Sequence, residues 1–183
     1  MINRVSAQPA TKAFIRFLSQ NPALRSQIRA APDKTLLYSG AFFRASFQEI
    51  KSRKLVDPQV ADKETLPEVL ARIPIPPALL PNPAKPFPNL LAYVSDLEQQ
   101  VPKQPDQFMI WRALSGIFAA HAVGEVSFWI GGGVNESKVF VVTELKVLLH
   151  NPNVDPVVKE LLEYYLRCVQ NINPDMNVGF IAA

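Results

Sequence analysis

The chain has 183 residues, 48% hydrophobic and 19% charged, which suits one domain, or one domain in two closely packed lobes, and excludes a disordered chain. Its formal charge of +3 comes from scattered basic residues. The one dense run, Lys51, Arg53 and Lys54, is flanked by Glu49 and Asp57, a pattern that argues against nucleic-acid binding and suits an anionic small molecule. Cys168 stands alone, so no intrachain disulfide forms and a reducing, cytoplasmic-type compartment is expected. One cysteine with the distant His121 and His150 makes no metal site. No apolar run approaches the ~18 residues of a spanning helix, and Arg4 has no apolar stretch behind it. Neither a membrane span nor a secretory signal is therefore expected; export by another route stays open.

Periodicity predicts helices over about Thr11–Leu18 and Pro22–Ala30, with Asn21-Pro22 as cap and first turn between them. Asp33 leads into Thr35-Leu36-Leu37-Tyr38-Ser39-Gly40 and then an apolar, aromatic helical stretch, Phe42–Ile50. Asp62 is expected to cap a short helix that holds Pro67 and ends near Arg72. Seven prolines between residues 73 and 88 rule out a regular helix or a central strand. That segment reads as an extended connector packed on the body through Ile73, Ile75, Leu79, Leu80 and Phe87.

After a short helix at Leu90–Gln100, Gln107–Ala122 reads as a helix with Trp111, Ser115, Phe118 and Ala122 on one face. A strand at Val126–Ile130, a turn at Gly131-Gly132-Gly133 and a strand at Val139–Leu145 follow. A helix at Val157–Cys168, entered through Asp155-Pro156, and a strand at Val178–Ala183 complete the chain. The expected fold class is α/β. A mainly helical N-terminal lobe, residues 1–105 with the connector at 73–88, packs on a C-terminal lobe, residues 106–183, built as a small parallel β-sheet with crossover helices. The active-site cleft is expected between them.

Three stretches carry the chemistry: Trp111 to Ser115 opening a helix, the strand ending in the glycine triplet, and Phe140 to Leu145, an apolar run holding one carboxylate, Glu144. Ligands of parallel sheets bind beyond the C-terminal strand ends, where the glycines and Glu144 are expected. Each residue also has a plainer reading. Trp111 and Tyr38 would serve as core aromatics, Ser115 would bond its own helix, and Glu144 would be a solvated charge beside Lys146.

The order W-x-x-x-S-x-x-F-A, strand, glycine turn, F-x-x-x-E, over about Phe108 to Asn151, resembles the animal ADP-ribosyl cyclase/NAD glycohydrolase family. Thr35-Leu36-Leu37-Tyr38-Ser39 resembles that family's leucine-rich segment bearing a tryptophan and a serine. The resemblance implies a helical lobe beside a parallel-sheet lobe, with an enzyme that cleaves NAD to nicotinamide and ADP-ribose or a cyclic ADP-ribose. NAD would be the substrate and no separate cofactor or metal is called for. By matched position, Glu144 would be the catalytic carboxylate, and Trp111 would stack the nicotinamide. Ser115 would face ribose or phosphate, Tyr38 would stand for the second active-site tryptophan, and Ser39 and Phe140 would complete the substrate site.

The chain departs from the pattern at Gly40, where the family has a phosphate-binding arginine, leaving Arg44 or Arg112 to replace it. Glu64 is the nearest match to the acidic residues that tune cyclisation, and the family's disulfides are absent. A bacterial or cytosolic relative is implied, with a toxin or effector role in a host cell left open. Two alternatives remain at this point. One is a NADase of the TIR type; the other is a non-enzymatic interaction module docking through the proline segment or Phe42-Phe43.

Overall fold

The computed structural model describes residues 7–38, 47–79, 86–129 and 143–172, without the side chains of 47–50 and 169–172. Its elements run α1 (Pro9–Gln20), α2 (Pro22–Gln27), β1 (Thr35–Tyr38), α3 (Phe47–Val56), α4 (Leu66–Ala71), a 3-10 turn (Pro77–Leu79) and α5 (Leu90–Gln100). A wide turn (Lys103–Gln107) then leads into α6 (Phe108–Ala120), β2 (Val126–Trp129), α7 (Leu145–His150) and α8 (Pro156–Ile172). The protein is thus mainly helical with a small parallel sheet. Among the described residues no helix is long and apolar enough to cross a membrane.

Local chemistry accounts for most boundaries. Pro9 and Pro22 open α1 and α2, where a missing N–H costs nothing, and Asn21 separates them as expected. The Asp106 carboxylate accepts the Gln8 N–H at 2.7 Å, placing negative charge at the start of α1. The cap of α4 is Thr65, not Asp62: the Glu68 carboxylate accepts from the Thr65 N–H at 2.9 Å and its hydroxyl at 3.1 Å. That T-x-x-E arrangement satisfies a helix start better than an exposed aspartate three residues earlier. Asn89 caps α5 by accepting the Ala92 N–H at 2.9 Å. At the far end of α6 the buried Asn151 amide donates to the carbonyls of Ala119, Ala120 and Ala122 at 2.9–3.1 Å.

β1 and β2 pair in parallel, Thr35 opposite Val126 and Tyr38 opposite Trp129, so β2 takes its partner from the first half of the chain. The crossover between them spans α3 to α6, as parallel pairing requires. Glu64 bridges Thr35 on the other edge of β1, and Gly124 bridges Val154 beside the start of β2. Gly124 has φ +75°, and the Asp33 carboxylate occupies the space a side chain would need. That carboxylate accepts the Glu125 N–H at 2.7 Å and ties the two strand starts together.

The core gathers Phe14 and Leu18 of α1, Leu37 of β1, Val69 and Leu70 of α4, Leu90 and Val94 of α5, and Ile110, Leu114 and Phe118 of α6. Leu145 and Leu148 of α7 and Leu162 and Leu166 of α8 extend it. Packing joins α6 to α1, α4 and α7, so α6 is the central helix. The proline-rich connector packs as expected at Ile73, Ile75 and Leu79.

One expected strand is corrected. Residues 143–150 are helical, so the strand expected over Val139–Leu145 does not extend through Thr143, Glu144 and Leu145. Leu145 and Leu148, three apart, are both fully buried, a helical spacing that the short apolar run concealed. Residues 139–142, the glycine turn, the helical start at 42–46 and the strand at 178–183 lie outside the described residues.

Candidate functional site

The site is built on α6 and the C-terminal end of β1. On α6, Ser115 is buried one turn after Trp111, and Phe118 is fully buried on the same side. The hydroxyl of Ser115 is therefore held inside the protein, where it requires a partner. The acidic group within reach of that hydroxyl is Glu144, the residue before α7. Glu144 is only 5% exposed. Burial raises its pKa from 4.5 to about 7, and the Ser115 hydroxyl offsets part of that rise by stabilising the charged form. Near neutral pH, then, the carboxyl sits between its acid and its base form. This buried carboxyl is not the solvated charge of the plainer reading.

Tyr38 ends β1 and is half-buried. Its phenol is pushed well above the ordinary tyrosine value, first by burial, then by the negative charges of Glu144 and Glu68. A phenol in that state keeps its proton at any working pH and acts as a donor. Of the sequence-predicted residues, Ser115 on α6 thus lies beside Glu144, and Tyr38 on β1 lies within reach of its charge, although Glu144 enters from a helix start and not from a strand end. Trp111 is half-buried against the core, one turn before Ser115. Ser39 and Phe140 lie outside the described residues, as does Arg44.

No protein-family model, curated protein or solved structure matches the chain.

Several neighbours of the site were not foreseen. Glu68 lies close enough for Tyr38 to feel its charge, and it is paired with Lys54, whose Nζ stands 2.8 Å from both carboxylate oxygens. The T-x-x-E spacing marks Glu68 as a helix-start residue in the sequence, but nothing local gives its approach to Tyr38 across the fold. Trp129 stands in register beside Tyr38 at the strand ends, half-buried. Arg112, one of the two candidates for a missing phosphate ligand, donates from Nε to the Thr143 hydroxyl at 3.0 Å. Glu64 does not join the group. It accepts from Arg72 and from the Ala31 N–H and bridges Thr35, at the opposite end of β1 from Tyr38.

A groove of about 520 Å³ lies on another side of α6, between it and α1, floored by Ile15, Met109, Ala113 and Ile117. Arg112 and Thr143 border it, while Ser115, Glu144, Tyr38 and Trp111 do not line it.

Proposed function

We propose that this protein cleaves the bond between nicotinamide and ribose in NAD, with Glu144 as the catalytic carboxylate. The observation that carries the reading is a buried Glu144 beside Ser115 and within electrostatic reach of Tyr38, three residues drawn from separate stretches that carry the family resemblance. A carboxylate in a dry site has its greatest effect on developing positive charge, because little solvent screens it.

In this reading the glycosidic C–N bond breaks and its electron pair leaves with nicotinamide, which departs neutral. The ribose is left as an oxocarbenium-like cation, as in glycoside cleavage. Ionised Glu144 stabilises that cation, an effect worth ~3–4 kcal/mol by analogy with a single preorganised group. Water then attacks the anomeric carbon, yielding ADP-ribose and a proton, or the adenine ring attacks and yields a cyclic product. Trp111 offers an aromatic face to the cationic nicotinamide ring, and Ser115 and Tyr38 offer hydroxyls to ribose or phosphate. No separate cofactor enters this scheme.

Incubation of the purified protein with NAD, with nicotinamide quantified by chromatography, tests the proposal. Nicotinamide release that is lost in Glu144→Gln is expected; folded wild-type protein that releases none would overturn it.

A further inference from the structure

Glu144 stands before α7, whose Leu145 and Leu148 pack into the core and set the helix against α6. The residue before Glu144, Thr143, is held against α6 by two contacts one helical turn apart. Arg112 Nε donates to Thr143 Oγ1 at 3.0 Å. Gly116, four residues on, receives the Thr143 methyl group: a Cβ at 116 would stand 3.2 Å from Thr143 Cγ2. Residues four apart share a helix face, so hook and notch act on one side chain. Ser115, next to the notch, is the group that Glu144 meets.

Glycine inside a helix is intrinsically unfavourable, and one mid-helix commonly marks a close approach. Arg112 is an exposed residue and forms no ion pair among the described residues. We propose that Arg112 and Gly116 form a latch on Thr143 that sets the Glu144 carboxylate against Ser115, which makes them positioning residues for the chemistry of Glu144.

The latch acts through placement and not through charge. From α6 the Ser115 hydroxyl acts on the carboxylate, and the Tyr38 phenol of β1 lies within reach of its charge. Glu68 of α4 acts on the phenol. Among the described residues, no charged group of α6, α7 or α8 shifts the Glu144 carboxyl, the Arg112 guanidinium included. The kinetic consequence rests on the proposed NAD cleavage, but the geometric claim does not.

The test uses the full chain with Thr143→Val, which removes the acceptor of the Arg112 bond and keeps the shape, and Gly116→Ala, which fills the notch. The carboxyl of Glu144 is titrated by side-chain NMR, and kcat and KM for NAD are measured beside it. With the fold intact by circular dichroism, both variants should let the carboxyl reach solvent. Its midpoint should then fall from about 7 toward the ordinary carboxylate range, by at least about one pH unit. In the kinetic arm kcat should drop ~10-fold or more with KM within about 3-fold, since a ~1 Å misplacement can cost ~100-fold. Thr143→Ser, which removes the methyl group but keeps the hydroxyl, should restore both readouts in the Gly116→Ala background. An unchanged Glu144 midpoint in both variants would overturn the latch, whatever the protein does to NAD. A shifted midpoint in a protein with no NAD activity would uphold the latch and reject the proposed reaction.

Discussion

Exchange of Glu144 for glutamine should make the protein more stable at neutral and alkaline pH while removing its turnover. Burial holds the folded carboxyl at about 7 against an ordinary value of 4.5. Between those two values the unfolded chain gives up its proton and the folded chain keeps it, so stability falls as pH rises through the window. The slope is about 1.4 kcal/mol per pH unit, and the whole window comes to about 3 kcal/mol. Above pH 7 the folded carboxyl is ionised too and the loss is complete. Glutamine has the same shape and has no charge to bury. Glu144→Gln is therefore expected to be about 3 kcal/mol more stable than wild type at pH 8, and close to it near pH 4.5. For a chain of this size the gain corresponds to roughly 6–12 °C in melting temperature. Urea unfolding of both proteins at the two pH values, followed by circular dichroism, measures it. A difference that is the same at both pH values, or a loss of stability at pH 8, would refute the reasoning, because either outcome means that Glu144 is not buried at a cost.

Trp111→Ala is expected to lower kcat/KM for NAD at least ~10-fold, because its half-buried ring is read as a wall of the site and not as core. Its stability cost should stay below the ~3–5 kcal/mol of a fully buried aromatic; a collapse in melting temperature with normal kinetics per folded molecule would contradict this. Asn151→Ala removes the donor that three carbonyls at the end of α6 share. A loss of about 1–3 kcal/mol in urea unfolding is expected, and no change would show that water replaces the amide freely. Under the proposed reaction, product choice would turn on Tyr38, smaller than the tryptophan at the matching position of the family this chain resembles. A smaller side chain there would admit water more readily, so ADP-ribose should predominate on chromatography and Tyr38→Trp should shift the ratio toward a cyclic product. A cyclic majority in wild type would contradict it.

The longer helices whose buried side chains recur every three or four residues, such as α5 and α6, were legible in the sequence, and so was the proline-rich connector. The helix over Leu90–Gln100 falls where periodicity puts it, and α6 lies within two residues of expectation at either end. Strand β2 was legible from its apolar run, but its partner was not, because parallel pairing joins residues about 90 apart and leaves no local mark. The run from Val139 to Leu145 misled for a different reason. A short apolar segment does not separate strand from buried helix, and tertiary burial of Leu145 and Leu148 decides for the helix. The candidate carboxylate was legible as a lone charge among apolar neighbours. Its approach to Ser115 and the contacts that seat Thr143 on α6 depend on how two helices meet, which no spacing within either one encodes.

The most direct test of the central claim is the pH dependence of nicotinamide release from NAD between about pH 5 and pH 9. Catalysis that needs ionised Glu144 requires kcat/KM to rise with pH and to level off above its titration near 7. The Glu144→Gln variant should be inactive across the whole range. A wild-type profile that is flat through this range, or a glutamine variant that retains turnover, would contradict the account.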